Sequence, residues 1–172
     1  GFPDMDTTLS IIPRLVSAGA DCIEIGVPFT DPLADGPTIQ KSSSIALRNK
    51  VSLTDCLSLV TQIRNEVPDT PLLLMGYYNP IYQYGLGRFA KDCNISGIDG
   101  LIIPDLPPEE AGKYVDSAKK NEIIPILLVA PNTQDKRIRE ISRLAKTLIY
   151  CVAILGVTGG KGAEGVELKK YL

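Results

Sequence analysis

The chain has 172 residues, 44% of them hydrophobic, enough to build the core of one ordinary domain. A formal charge of -2, no Trp and no basic run interleaved with aromatics argue against a nucleic-acid partner, and no apolar run approaches the ~20 residues that span a bilayer. There is no histidine, so acid and base work falls to Glu, Asp, Tyr or Lys.

Apolar residues at Leu9, Ile12, Leu15 and Val16 predict a helix over 6–18, which Gly19 ends and Pro13 should kink. A short strand over 21–27 follows. Its alternation sends Ile23, Ile25 and Val27 one way and Cys22, Glu24 and Gly26 the other. The strand feeds a loop rich in acids and prolines that carries Asp31 and Asp35. Helices are predicted over 39–48 and 51–67, the second with Leu53, Cys56, Leu57, Val60 and Ile63 on one side and Pro68 as its stop. Residues 71–77 form a continuous apolar run, the mark of a parallel strand buried on both faces, and end in a loop of Tyr78, Asn79 and Pro80.

A short helix over 86–93 leads to an apolar strand over 99–104 that again ends in an acid, Asp105. Pro107, Pro108, Glu109 and Glu110 read as a helix start, with acids at the positive end of the dipole, and the helix runs to about Asn121. A strand over 123–129 and a helix ending near Lys146 precede the last strand, 147–153, which enters a glycine-rich loop over 156–160.

Five strands separated by helices imply parallel pairing with right-handed crossovers. Gly19-Ala20-Asp21 is echoed by Gly97-Ile98-Asp99, a weak internal repeat of a βα unit. An α/β barrel and an open doubly wound sheet both fit this pattern. Cys22, Cys56, Cys93 and Cys151 are scattered, with no CxxC pair, and read as free thiols of a reducing compartment, Cys22 and Cys151 being buried within apolar strands.

A carboxylate among apolar strands loses hydration, which raises its pKa and suits it to move protons. Glu24 has that position if the sheet is covered on both faces; on an exposed antiparallel strand it would be an ordinary wet-face residue. Other routes find little support. Gly160-Lys161-Gly162-Ala163-Glu164-Gly165 matches GxGxxG only formally, in a long loop, and Leu155 and Gly162 break a phosphate-binding Walker pattern. Backbone amides near Thr158 and Gly159 fit a phosphate, or a plain mobile connection. Every lysine falls in a predicted helix or loop, which disfavours an imine, and no histidine stands ready for a metal.

What remains is Glu24 on a strand and Asp35 on the loop that strand feeds, a pair suited to general acid and base catalysis without metal or cofactor. By alternation Met75 and Tyr77, Ile102 and Pro104, Ile126 and Leu128, and Tyr150 and Val152 face inward with Glu24. They line an apolar and aromatic pocket suited to a flat hydrophobic ring. A buried Tyr150 phenol needs a partner, and Glu24 is a candidate.

The run Glu24-Ile25-Gly26-Val27-Pro28-Phe29-Thr30-Asp31-Pro32-Leu33-Ala34-Asp35-Gly36-Pro37-Thr38-Ile39-Gln40 closely resembles the signature of the tryptophan synthase alpha chain family. Tyr77-Tyr78-Asn79-Pro80, Pro104-Asp105-Leu106-Pro107 and Gly156-Val157-Thr158-Gly159 follow in the family's order. The resemblance implies a TIM barrel that cleaves indole-3-glycerol phosphate into indole and glyceraldehyde 3-phosphate. Glu24 matches the catalytic glutamate and Asp35 the aspartate that takes the indole N–H. Tyr150 matches the tyrosine beside that glutamate. Ile39, Met75, Ile102, Leu128 and Thr158 match pocket or lid positions, with Tyr77 beside them on the inward face, and Gly159 matches the phosphate end.

The resemblance also implies a partner, a pyridoxal-phosphate beta chain in an α2β2 assembly, with Pro28, Asp31 and Asn79 at or near the contact. No cofactor or metal is expected in this chain, and the expected location is the cytoplasm, or the plastid stroma in a photosynthetic eukaryote. A stand-alone lyase and a non-catalytic activator of a beta chain are the rival readings; the presence of both Glu24 and Asp35 disfavours the second. The family barrel has eight strands, of which the chain matches the second to the sixth. Residues 1–172 are therefore expected to form a single barrel domain incomplete at both ends, poorly stable and inactive by itself.

Overall fold

The computed structural model describes residues 1–152. Within them five strands, β1 (Ile23–Gly26), β2 (Leu72–Met75), β3 (Gly100–Ile102), β4 (Ile124–Val129) and β5 (Ile149–Cys151), pair in the order β1-β2-β3-β4-β5. All four pairings are parallel. A doubly wound sheet reverses its strand order at a switch point. This sheet never reverses, so right-handed crossovers put every connecting helix on one face, as in the wall of a barrel.

The helices are α1 (Met5–Ser17), α2 (Pro37–Arg48), α3 (Leu53–Glu66), α4 (Tyr78–Tyr84), α5 (Leu86–Ser96), α6 (Gly112–Lys120) and α7 (Asp135–Leu144). Strand alternation divides the apolar residues between two cores. Ile23, Ile25, Leu72, Leu74, Leu101 and Leu127 join the helices in a large one. Leu73, Ile102 and Ile126 form a small one on the other face, with Met75, Ile124, Leu128 and Tyr150 packed against it. Gly100 belongs to that second layer: a Cβ there would meet Leu73 Cδ2 at 2.8 Å and Ile126 Cδ1 at 3.1 Å.

Three expectations need correction. Tyr78, Asn79 and Pro80 are not a loop but the first turn of α4, where Pro80 is tolerated because the first N–H groups of a helix have no intrahelical acceptor. The segment Pro107 to Glu110 is not the first turn of a helix. It closes a turn of i to i+3 bonds, Glu110 N–H to the Pro107 carbonyl at 3.0 Å and Ala111 N–H to that of Pro108 at 3.3 Å, and α6 starts only at Gly112. Glu109 instead pairs with Arg137 of α7 at 3.1 Å. Lastly, Cys56 and Cys93 are buried but Cys22 and Cys151 are exposed, because they lie in or beside β1 and β5, the two outer strands of the described sheet. All four thiols are free.

The N-terminal ends of the strands are tied by one side chain. Arg64, near the end of α3, donates to the carbonyls of Gly97, Val67, Pro68 and Thr70 and to Asp99, the last at 2.5 Å. Asp99 in turn accepts the N–H of Leu72 at 2.7 Å. Truncation would leave several partly buried carbonyls without a donor. Arg64→Ala should cost about 2 to 3 kcal/mol, read as a lower urea midpoint at unchanged slope; a loss below about 0.5 kcal/mol would show that solvent replaces the guanidinium.

Candidate active site

The site begins with the alternation of β1. Ile23 and Ile25 are 7% and 6% exposed and enter the helix-side core, which turns Glu24 and Gly26 to the helix-free face. There Glu24 sits opposite Leu73 of β2. Burial against this apolar face pushes the Glu24 carboxyl above its ordinary range. The residue is nevertheless exposed, contrary to a fully walled-in acid, because β1 ends the described sheet and no described strand covers its other side.

Tyr150 of β5 belongs to the same face. Burial raises its phenol pKa, and the charge of Glu24 raises it further. The charge of Glu24 thus reaches Tyr150 across this face. Ile102 and Leu128 also lie in this layer, Ile102 fully buried and Leu128 partly so.

Asp35 arrives by a different route. After β1 the chain folds through residues 27–36 by short-range bonds: Thr30 Oγ1 donates to Asp31 Oδ2 at 2.6 Å, Leu33 N–H to the Asp31 carbonyl at 2.9 Å, and Asp35 N–H to that of Pro32 at 3.1 Å. Gln40 of α2 then donates to the Asp35 carbonyl at 2.8 Å. The Asp35 carboxyl is half-buried; burial raises its pKa, and a hydrogen bond from Tyr77 works against that rise.

Tyr77 is the residue whose role the sequence did not disclose. It ends the apolar run of β2 as a buried side chain, 5% exposed. Its hydroxyl oxygen accepts the N–H of Ala34 at 3.0 Å, across 43 residues of chain, while its O–H serves the Asp35 carboxylate. Its ring stacks on Phe29 at 5.3 Å between centroids. Burial pushes its pKa to about 12, so the hydroxyl keeps its proton at neutral pH. A tyrosine at a strand end signals none of this, since every partner is distant in sequence.

Between β1, β2 and α2 lies a cavity of about 210 Å³ whose wall includes Gly26, Pro28, Asp35, Ile39, Met75 and Tyr77. Five of the expected site residues therefore converge on it: Asp35, Ile39, Met75, Tyr77 and Pro28, the last of which had been expected at a partner contact. Glu24 does not line it, but its inward neighbour Gly26 and the register partner of Gly26, Met75, do. Of the other expected contact positions, Asp31 is exposed in the loop and Asn79 is exposed in the first turn of α4. Thr158 and Gly159 lie outside the described residues.

Chemically, the arrangement offers two carboxyls biased toward holding a proton, a neutral phenol and an apolar wall. Among the described residues, no three His, Cys, Asp or Glu side chains are grouped as a metal would require. Also among them, no helix is long and apolar enough to cross a membrane.

A family model described as the tryptophan synthase alpha chain matches residues 1–172. The tryptophan synthase alpha chain of Petrotoga mobilis is 48% identical over 171 residues, 99% of this chain and 66% of that protein. That of Roseiflexus castenholzii is 49% identical over 161 residues, covering 94% of this chain and 62% of its own length. Among solved structures, tryptophan synthase subunit alpha of Legionella pneumophila superposes with a TM-score of 0.83 at 41% identity, over 86% of this chain and 56% of that one. A chain of the Pyrococcus furiosus tryptophan synthase α2β2 complex gives 0.82 at 38% identity, over 87% and 61%. The chain thus spans just under two thirds of the length of the relatives it matches, and its sheet corresponds to part of their barrel.

The raised pKa of Glu24 carries a sign that can be measured. The folded state holds the proton to higher pH than the unfolded chain, so the contribution to stability is full below about 4.5 and is lost as pH rises through the folded value. Glu24→Gln should therefore raise the urea midpoint at about pH 7 and leave it unchanged near pH 3.5. A lower midpoint at neutral pH would mean that the carboxylate is stabilised rather than desolvated.

Proposed function

The chain belongs to the tryptophan synthase alpha chain family, and from that premise we propose that the protein of which it forms part cleaves indole-3-glycerol phosphate into indole and glyceraldehyde 3-phosphate. The observation that carries the proposal is the position of Glu24 on the helix-free apolar face, with Asp35 brought beside the same face by the loop that β1 feeds.

The reaction is a retro-aldol cleavage that needs a proton delivered to the ring carbon and another taken from the side-chain hydroxyl. Glu24, held toward its protonated form by lost hydration, delivers the first; as a carboxylate it assists removal of the second. The bond between ring and side chain then breaks, its electrons return to the ring, and the hydroxyl carbon becomes the aldehyde. Asp35 accepts the indole N–H and offsets the positive charge that grows on the ring during tautomerisation. Ile39, Met75, Ile102, Leu128 and Tyr77 surround the flat ring, and Tyr150 stands beside Glu24. Thr158 and Gly159, which lie outside the described residues, match the family's lid and phosphate positions.

The same reading assigns a beta chain as partner, contacted through Asp31, Asn79 and the Pro28 region, with pyridoxal phosphate held by that partner. The two subunits form an α2β2 assembly in the cytoplasm.

The decisive variant is Glu24→Gln in the full-length protein. Indole release should fall by at least about 100-fold, the share expected of a positioned general acid and base. Substrate affinity measured by calorimetry should hold within about threefold, since the lost group acts mainly in the transition state. Turnover within about tenfold of the parent enzyme would overturn the assignment.

A further inference from the structure

We propose that Asp105 is a positioning residue for the proton chemistry: from the loop after β3 it fixes the start of α4, and through α4 it aims the Tyr77 hydroxyl at the loop that carries Asp35. The inference deepens the functional reading above and rests on its placement of Asp35 against substrate.

The starting point is an unfilled requirement at the N-terminus of α4. The helix is capped by Tyr77, which has no side-chain hydrogen bond to give its first turn. The first N–H groups of a helix lack intrahelical acceptors and need one from elsewhere. Asp105 meets that need from a different strand loop: its Oδ1 accepts the N–H of Tyr78 at 2.9 Å, across 27 residues. The negative charge also stands where the helix dipole favours it.

Tyr77 and Tyr78 are adjacent, so fixing the N–H of one fixes the backbone of the other. The two residues face opposite neighbours. Tyr78 is held by the β3 loop through Asp105, and Tyr77 holds the β1 loop through Ala34. Stacking of Phe29 on the Tyr77 ring adds a second hold on the same loop. The loops after β1, β2 and β3 are therefore joined in a line, Asp105 to Tyr78, Tyr77 to Ala34, with Asp35 one residue further on. The charge of Asp105 also reaches Tyr77, where it adds to the upward push on the phenol pKa.

Asp105 itself is exposed and does not line the cavity. Its influence on the reaction must pass through α4, which separates it from a residue that binds substrate. Nothing in the turn around Pro107 to Ala111 requires its carboxylate, since that turn is closed by backbone bonds.

The test compares Asp105→Ala with Asp105→Asn in the full-length protein, because an asparagine oxygen still caps a helix and an alanine does not. For Asp105→Ala, kcat for indole release should fall about tenfold with KM within about twofold, the split expected when an acid is misplaced rather than a binding group lost. Asp105→Asn should restore kcat to within about twofold of the parent. An arm without substrate reads the relay directly. Amide exchange at Ala34 should quicken about tenfold in Asp105→Ala and in Tyr77→Phe, while exchange at Leu74 in β2 stays unchanged. Unaltered kcat in Asp105→Ala, an asparagine variant as poor as the alanine one, or undisturbed exchange at Ala34 would each overturn the proposal. A parent enzyme that releases no indole would instead overturn the functional reading, and the exchange arm would still decide whether the relay exists.

Discussion

A carboxylate on the helix-free face of a parallel sheet meets only what the strands and their loops bring to it. The constraint originates in β1, where two buried isoleucines on either side of Glu24 anchor the strand to the helices and leave the acid no choice of face. A shift of one residue in register would bury Glu24 among helices and expose both isoleucines. Pairing of β1 with β2 over four consecutive positions opposes that slip. The lost hydration that biases Glu24 toward its protonated form follows from this placement, without a neighbouring charge to cause it.

The second carboxyl is held by less rigid means. Asp35 sits on a loop, so its position depends on short turns within residues 27–36 and on the Tyr77 hydroxyl reaching across from β2. One phenol both accepts from the loop backbone and donates to the acid, a double use that works only while it keeps its proton. The Arg64 knot and the candidate site lie at opposite ends of the sheet. At the N-terminal end Arg64 and Asp99 bind several backbone groups into one knot, while the acids gather at the C-terminal end. This is the division of labour of α/β barrels.

Much of this was legible in the residues. Continuous apolarity at 71–77 announced a parallel strand, and the alternation around Glu24 announced its face. The helix-free cluster of Leu73, Ile102 and Ile126 bears out the inward assignments of Ile102 and Ile126, with Met75, Leu128 and Tyr150 against it. What escaped depends on contacts between distant loops. The first turn of Tyr78–Tyr84 takes an acceptor from a carboxylate 27 residues away, which no local pattern records. Two prolines and two acids at 107–110 have the composition of a helix start, yet their backbone closes a tighter turn. Exposure of Cys22 and Cys151 depends on which strands flank β1 and β5, a property of the sheet rather than of either segment.

Partial loss of hydration at Glu24 is the property on which the proposed proton delivery depends. Carboxyl carbon chemical shifts of Glu24, followed by NMR through a pH titration of the full-length protein, measure this directly. The prediction is a midpoint clearly above about 4.5, the ordinary value for a glutamate. A midpoint at or below that value would mean a well-solvated or ion-paired carboxylate, and proton delivery from Glu24 would have to be abandoned.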